Sequence, residues 1–326
     1  MRFVVTGGTG HIGNNVVRAL RATYPDAEIR VLTRRPVGHA LADVAYTEVV
    51  GDLFDVAFLA REILAGDYLV HTVGYIDMSG RHADETFRVN VELTRLVTDV
   101  AVAAGVSGYV FFGSVDGIDK QRASRRDAKD DTPISEPDAF DATPISGNYG
   151  KSKAMAMQYV QDVMRAHPDV PICMLLPSAV LGVHDYKPSP IGKILLSVLA
   201  DKPEFGIPGG YNFVDVRDVA AATVAALARG VRGTYILAGA NVSVSELYAT
   251  ANRVLGKTKK PILLPTWMAW LAMPFVKALN PVTLRALSEP HAYTSAAASR
   301  ALGFTARPFD ETMQDTLAWF AAQKKL

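Results

Sequence analysis

The sequence predicts an α/β fold, a doubly wound parallel sheet followed by a smaller, mostly helical C-terminal region. Three observations carry this expectation. The chain opens on an apolar strand, Arg2-Phe3-Val4-Val5-Thr6, that runs directly into the glycine-rich turn Gly7-Gly8-Thr9-Gly10-His11-Ile12-Gly13. Strand-like and helix-like segments then alternate up to about residue 173, the pattern of a parallel sheet with helices on both faces. At 326 residues the chain can bury a substantial core, as one large domain or two intimate ones.

The glycine turn gives the fold its Rossmann-type reading. A buried strand ends, the backbone turns sharply, and a helix begins with its free N–H groups aimed at a diphosphate. Gly7 suits the tight turn, Gly10 lets a pyrophosphate approach without a Cβ in the way, and Gly13 lets the helix pack on the strand. The spacing is G-x-x-G-x-x-G rather than the G-x-G-x-x-G of simple dehydrogenases. His11 and Ile12 stand at the helix start, beside the same phosphates, and residues 14–21 are amphipathic at helical spacing.

Glu28-Ile29-Arg30-Val31-Leu32 is the second strand, residues 45–50 a short third, Asp67-Tyr68-Leu69-Val70-His71 the fourth and Gly108-Tyr109-Val110-Phe111-Phe112 the fifth. Residues 84–104 set Phe87, Val91, Leu93, Leu96, Val97 and Val100 at helical spacing and predict one long helix. Residues 119–147 are charged, proline-containing and aperiodic. A loop of this length reads as a rim of an active site or as a mobile solvated connection. Beyond residue 174 the alternation loosens, and Pro188, Pro190, Pro203 and Pro208 punctuate short helices. Thr234-Tyr235-Ile236-Leu237 reads as a strand, and residues 243–255 as a helix capped by Ser243 or Ser245 with Glu246 in its first turn. The expected division is a dinucleotide-binding unit over 1–173, with a returning segment near 211–240, and a substrate-binding region over 174–326.

Lys and Arg total 34 against 33 Asp and Glu, a net charge of +1, so no nucleic-acid footprint is visible. Cys173 is the lone cysteine, in a strand-like apolar run, and reads as an inert core thiol. The chain begins on a core strand, so no signal peptide is expected before the fold. The apolar stretch 267–276 is too short to span a bilayer and contains Pro274, so stable membrane insertion is not expected. A reducing, cytoplasmic setting fits, and no metal-ligand pattern is present.

A second motif, Tyr149-Gly150-Lys151-Ser152-Lys153, places a tyrosine and a lysine one helical turn apart. Reducing a carbonyl requires a proton at oxygen as hydride reaches carbon. A phenol with a pKa of about 10 is a poor partner at neutral pH. A neighbouring ammonium stabilises phenolate and lowers that value, and it can also hold a nicotinamide ribose. Ser114, at the end of the fifth strand, would hold the carbonyl oxygen between itself and Tyr149.

With these motifs in place, the chain resembles the extended short-chain dehydrogenase/reductase family, in its dihydroflavonol-reductase-like and 3β-hydroxysteroid-dehydrogenase-like branch, nearly end to end. The resemblance assigns Asp52 and Leu53 of Gly51-Asp52-Leu53 to the adenine, and Thr72 and Val73 of Val70-His71-Thr72-Val73-Gly74 to the cofactor wall. It matches Asn90-Val91, sets Pro177 against the cofactor, and reads Phe213-Val214-Asp215-Val216-Arg217-Asp218-Val219-Ala220 as a late strand and helix start. One departure stands out. Relatives commonly carry two or three hydroxyl residues around the catalytic serine, whereas Phe112-Gly113-Ser114 offers one.

The second strand ends Val31-Leu32-Thr33-Arg34-Arg35, without the carboxylate that accepts from the ribose hydroxyls of NAD. Two guanidiniums suit a 2′-phosphate, so NADP(H) is the expected cofactor, with NAD the alternative. Arg34 holds the position that contacts this phosphate in the resembling branch; a further basic residue often found there is Leu41 here. Nucleotide-sugar epimerases and dehydratases share the triad but grip the sugar nucleotide with an Asn and an Arg that correspond to Ala179 and Tyr211. The expected reaction is therefore net carbonyl–alcohol interconversion on an uncharged apolar or aromatic small molecule. A nucleotide-sugar epimerase and a non-catalytic NADP(H) sensor are the alternatives. The pocket is expected between Ser114 and Tyr149, residues 75–78 beginning with Tyr75, and a cover carrying Trp267, Met268, Trp270, Leu271, Met273 and Phe275. Relatives often dimerise through the pair of helices at 84–104 and 149–166. Met155, Met157, Tyr159, Val160, Val163 and Met164 give the second helix more apolar positions than one stripe needs, so a homodimer is expected.

Overall fold

The computed structural model describes residues 1–36, 38–77, 80–120, 133–268, 284, 287 and 291–323. The strands are β1 (Arg2–Thr6), β2 (Glu28–Thr33), β3 (Thr47–Val50), β4 (Tyr68–His71), β5 (Gly108–Phe112) and β6 (Ile172–Pro177). They continue as β7 (Ala179–Leu181), β8 (Phe205–Gly206), β9 (Gly210–Asp215), β10 (Gly233–Leu237), β11 (Ala240–Ser243) and β12 (Ile262–Leu263). The helices are α1 (His11–Thr23), α2 (Val56–Glu62), α3 (Ala83–Phe87), α4 (Leu93–Ala104) and α5 (Asn148–Ala166), then α6 (Pro190–Leu199), α7 (Val216–Arg229), α8 (Val244–Val254), α9 (Ala296–Leu302) and α10 (Phe309–Gln323).

Successive side chains on a strand point to opposite faces, and here both faces are apolar. Phe3 and Val5 of β1 pack with Val16, Val17 and Leu20 of α1 and with Val219 and Leu227 of α7. Val4, between them, joins Phe58 and Leu59 of α2, Val97 of α4 and Met157 of α5 on the other face. The result is a seven-stranded, all-parallel sheet in the order β10-β6-β5-β4-β1-β2-β3. The chain winds from β1 toward β3, then crosses to β4 on the other side of β1. The crevice beyond the carboxyl ends of β1 and β4 is the switch point at which open α/β sheets bind ligands.

A second, smaller sheet, β11-β9-β7, packs with α6, α8 and α10 around Leu195, Phe213, Leu247, Met313 and Leu317. Pro190 stands at the first helical position of α6, where its missing N–H costs nothing. Ser243, not Ser245, caps α8, in a reciprocal box with Glu246. Cys173 is buried in β6, and burial raises its thiol pKa.

Three expectations need revision. The third strand starts at Thr47 rather than residue 45. The long helix over 84–104 is interrupted by a π-helical turn, Arg88–Glu92, between α3 and α4. The part of the 119–147 connection from 133 onward is pinned rather than loose. Ile134 bridges to Tyr293, Phe140 and Ile145 are buried, and the Glu136 carboxylate accepts from Ile236 N at 2.8 Å on the edge strand β10. Residues 121–132 of that connection lie outside the described residues.

Candidate active site

The turn after β1 is built by close approach. Gly7 has φ +78°, and a Cβ there would lie 2.5 Å from Thr72 Oγ1; one on Gly13 would lie 2.3 Å from the Gly7 carbonyl oxygen. Gly10 caps α1 without a side-chain hydrogen bond, and no acidic residue occupies the first turn. The first N–H groups of α1 are thus left for an anion. The side chains of His11 and Ile12 point elsewhere. His11 Nε2 donates to the Val183 carbonyl at 3.0 Å, burial lowers its pKa, and Ile12 packs into the core. Only their backbones face the turn.

From this turn a cavity of about 980 Å³ runs along the carboxyl ends of β1, β2 and β4. Arg34 and Arg35 line it, exposed, and neither has a hydrogen bond or ion pair among the described residues. Thr33 Oγ1, buried at the same wall, has no partner among the described residues. Leu53 is buried beneath the far end, where Arg88 stacks 3.9 Å over Phe54. Asp52 lines the cavity and accepts from Phe54 N at 3.0 Å, while Asp55 caps α2. Thr72, Val73 and Gly74 form the wall beyond β4, with Thr72 Oγ1 donating to the Thr6 carbonyl at 2.9 Å. Pro177 ends β6, buried, and the next side chain, Ser178 Oγ, is buried without a partner among the described residues. Guanidiniums and hydroxyls unpaired among the described residues and an open helix N-terminus fit a nicotinamide dinucleotide.

The cavity reaches the chemistry at Gly74, where a Cβ would stand 3.4 Å from Lys153 Nζ. Ser114 follows β5 and caps the short turn Val115–Gly117, its Oγ accepting from Asp116 N at 3.1 Å. That turn lies directly on α5. A Cβ on Gly117 would be 2.8 Å from Ala154 N, and one on Gly150 would be 2.8 Å from the Asp116 carbonyl oxygen. This contact brings the Ser114 side chain beside Tyr149, close enough to act on its hydroxyl. Burial first, then the Asp116 carboxylate, holds the Tyr149 hydroxyl above its ordinary pKa, and the Ser114 side chain pulls the other way. Lys153, 5% exposed, donates to the Phe112 carbonyl at 2.9 Å, and burial lowers its pKa to about 8. One N–H of the ammonium is taken by that carbonyl, and burial is the largest influence on the phenol.

Several residues that sequence reasoning gave no role hold the site together. Asn90, in the π turn, accepts from Tyr75 N at 2.8 Å and donates to the Tyr75 carbonyl at 3.0 Å and to Ser152 Oγ at 2.9 Å. Ser152 in turn donates to the Tyr149 carbonyl at 2.8 Å. One amide thus ties the segment after β4 to the helix carrying Tyr149 and Lys153, and widened helical turns often mark such sites. Its visible signal was the Asn-Val pair. His71 bridges Thr6 Oγ1 at 2.7 Å and Thr94 Oγ1 at 3.3 Å, and burial holds its pKa at about 3. Asp116 pairs with Lys120 at 3.7 Å near Tyr211, whose pKa burial and then Asp116 raise to about 12. Tyr75 is half-buried with its ring edge-on to His82; of the expected cover, Trp267 is 64% exposed. Met78, Trp270, Leu271, Met273 and Phe275 lie outside the described residues.

Residues 3–239 match the NAD dependent epimerase/dehydratase family. The chain belongs to that family. Sterol demethylase protein B of Methylococcus capsulatus is 27% identical over 98% of this chain and 98% of its own length. A putative dihydroflavonol 4-reductase of Synechocystis is 30% identical over 98% of this chain and 94% of its own. The crystal structure of gox2253, 27% identical, superposes with a TM-score of 0.84 over 99% of both chains. UDP-glucose 4-epimerase from Thermotoga maritima shares the fold at 17% identity, with a TM-score of 0.79 over 99% of this chain and 100% of its own. This member of the epimerase/dehydratase family is an NAD(P)-dependent enzyme of the extended short-chain dehydrogenase/reductase type. Among the described residues, no helix is long and apolar enough to cross a membrane.

Proposed function

We propose that this enzyme is an NADP(H)-dependent oxidoreductase that interconverts a carbonyl and an alcohol on an uncharged apolar or aromatic small molecule. The observation that carries the reading is the packing of the turn that Ser114 caps onto the start of α5, which sets Ser114 beside Tyr149, with Lys153 one turn further along and facing the end of the dinucleotide groove at Gly74. Bound NADPH supplies the hydride. Ser114 holds the carbonyl oxygen, its hydroxyl oriented by the Asp116 N–H. Tyr149, kept protonated at neutral pH by burial and by Asp116, delivers the proton to that oxygen. Lys153 spends one of its three N–H donors on the Phe112 carbonyl, leaving two for the ribose and the phenol oxygen.

NADP(H) is favoured over NAD(H) by the two unpaired guanidiniums after β2 and the lack of a carboxylate there. Two relatives named for sterol and dihydroflavonol chemistry support a ring-bearing substrate. Ala179 and Tyr211 supply no cation for a sugar-nucleotide diphosphate, which argues against epimerisation. The intact Ser-Tyr-Lys set argues against a non-catalytic sensor. The roles of residues 1–173 in holding the dinucleotide and of 174–326 in shaping the substrate pocket belong to the same proposal.

The test is cofactor oxidation against aromatic aldehydes, diketones, steroids and flavonoids, beside charged sugars, with NADPH and NADH in parallel. Turnover of an uncharged ring ketone or aldehyde, with a several-fold preference in kcat/KM for NADPH, is expected. Interconversion of UDP- or dTDP-hexoses with retained cofactor and no net turnover of it would replace the proposal with the epimerase reading.

A further inference from the structure

The loop between β7 and α6 leaves the substrate region and lies across the start of α1. Its Val183 carbonyl accepts from His11 Nε2 and from Asn15 Nδ2, each at 3.0 Å. His184 Nδ1 donates to Asn15 Oδ1 at 3.0 Å, and its backbone sits in the left-handed region, at φ +62°, which a non-glycine residue adopts only when its surroundings fix it. The ring is fixed further by Tyr186, stacked at 6.2 Å, and by Trp319, edge-on at 5.9 Å. At the far end of the loop the buried Asp185 carboxylate accepts from Ser189 N at 2.8 Å. Between these anchors stands Lys187. It is exposed, has no ion pair among the described residues, and lines the same cavity as Gly10, Arg34 and Arg35.

Arg34, Arg35 and Lys187, none of them ion-paired among the described residues, line one cavity with an uncapped helix start, and the positive charges outnumber the one carboxylate there, Asp52, so the groove favours an anion. We propose that Lys187 is a ligand of a phosphate of the bound dinucleotide, carried over from the substrate region by the loop that His11 and Asn15 hold. The proposal rests on the reading that the groove binds NADP(H). Because the loop continues into α6 of the substrate region, cofactor affinity and the placement of that region would be linked through one side chain.

The test is direct binding, by fluorescence or calorimetry, of NADPH, ADP-ribose and 2′-phospho-ADP-ribose to the wild type, Lys187→Met and Lys187→Arg. Lys187→Met should raise the Kd for NADPH about tenfold or more and flatten its salt dependence, with Lys187→Arg close to wild type. Equal loss with both ADP-ribose ligands would place Lys187 on the pyrophosphate, and loss confined to the 2′-phosphorylated one would place it there instead. An unchanged Kd in Lys187→Met, in a wild type that binds NADPH, would overturn this proposal alone. A wild type that bound neither dinucleotide would overturn it together with the cofactor reading.

Discussion

Lys153 sits beneath Phe111 and beside Gly74 with no carboxylate within ion-pair distance among the described residues. Its drop from the ordinary 10.5 to about 8 is worth about 3 kcal/mol. That cost is present in full below about pH 8, where the folded and unfolded chains both carry the proton. It is relieved between about pH 8 and 10.5, where the folded lysine is neutral and the unfolded one is not, so stability rises with pH through that window. Lys153→Met removes the buried charge. The Tm of the variant relative to wild type should be highest below pH 8 and decline toward pH 10, while turnover is lost. A difference that stayed constant across that range would contradict the assigned burial. Of the side chains at this site, Ser114, Tyr149, Lys153 and Arg34 were legible because short motifs encode them. Thr33, Asp116, Tyr211 and Lys187 were not. Tyr211 and Lys187 meet the site through contacts between segments far apart in the chain, while Thr33 and Asp116 sit next to the legible residues in sequence and gain their place only through burial and the turn geometry.

The elements were legible where burial is two-sided. β1, β4, β5 and β6 are continuous apolar runs because helices cover both faces, and the sequence marks them within a residue. β3 is exposed at three of its four positions, so its start carried little signal. The π turn at Arg88–Glu92 was invisible because the apolar spacing on either side still reads as one helix. The apolar excess on α5 is mostly accounted for. Met157, Val160 and Met164 enter the core, and Tyr159 donates to Asp99 of α4 beneath Arg95. Met155, one helical turn before Tyr159, remains 38% exposed. The outer face of α4 and α5 is the surface through which a homodimer is proposed. Light scattering at micromolar concentration should give twice the 35.1 kDa chain mass. A single monomer mass would remove the dimer.

At the scale of the molecule, the late Val-Asp-Val-Arg-Asp motif proves to be a joint between the two layers. Asp215 caps α7 and accepts from Arg217 and from Thr312 of α10, Arg217 also pairs with Asp315, and Asp218 holds Arg307. Burial opposes ionisation of Asp215, yet the Arg217 and Thr312 bonds keep its pKa below the ordinary value. The resemblance located this motif without revealing that its charges serve packing. The joint ties α10 to α7 on the large sheet, whose other face carries α5 with Tyr149, and the proposed chemistry ends in the proton of that residue's hydroxyl. Tyr149→Phe keeps the ring and removes that proton. Measured side by side, NADPH oxidation with the best carbonyl substrate and the Kd for NADPH test this most directly. Turnover should fall by about 10²-fold or more with the Kd within about twofold of wild type. A Tyr149→Phe enzyme that kept the wild-type kcat would contradict the account.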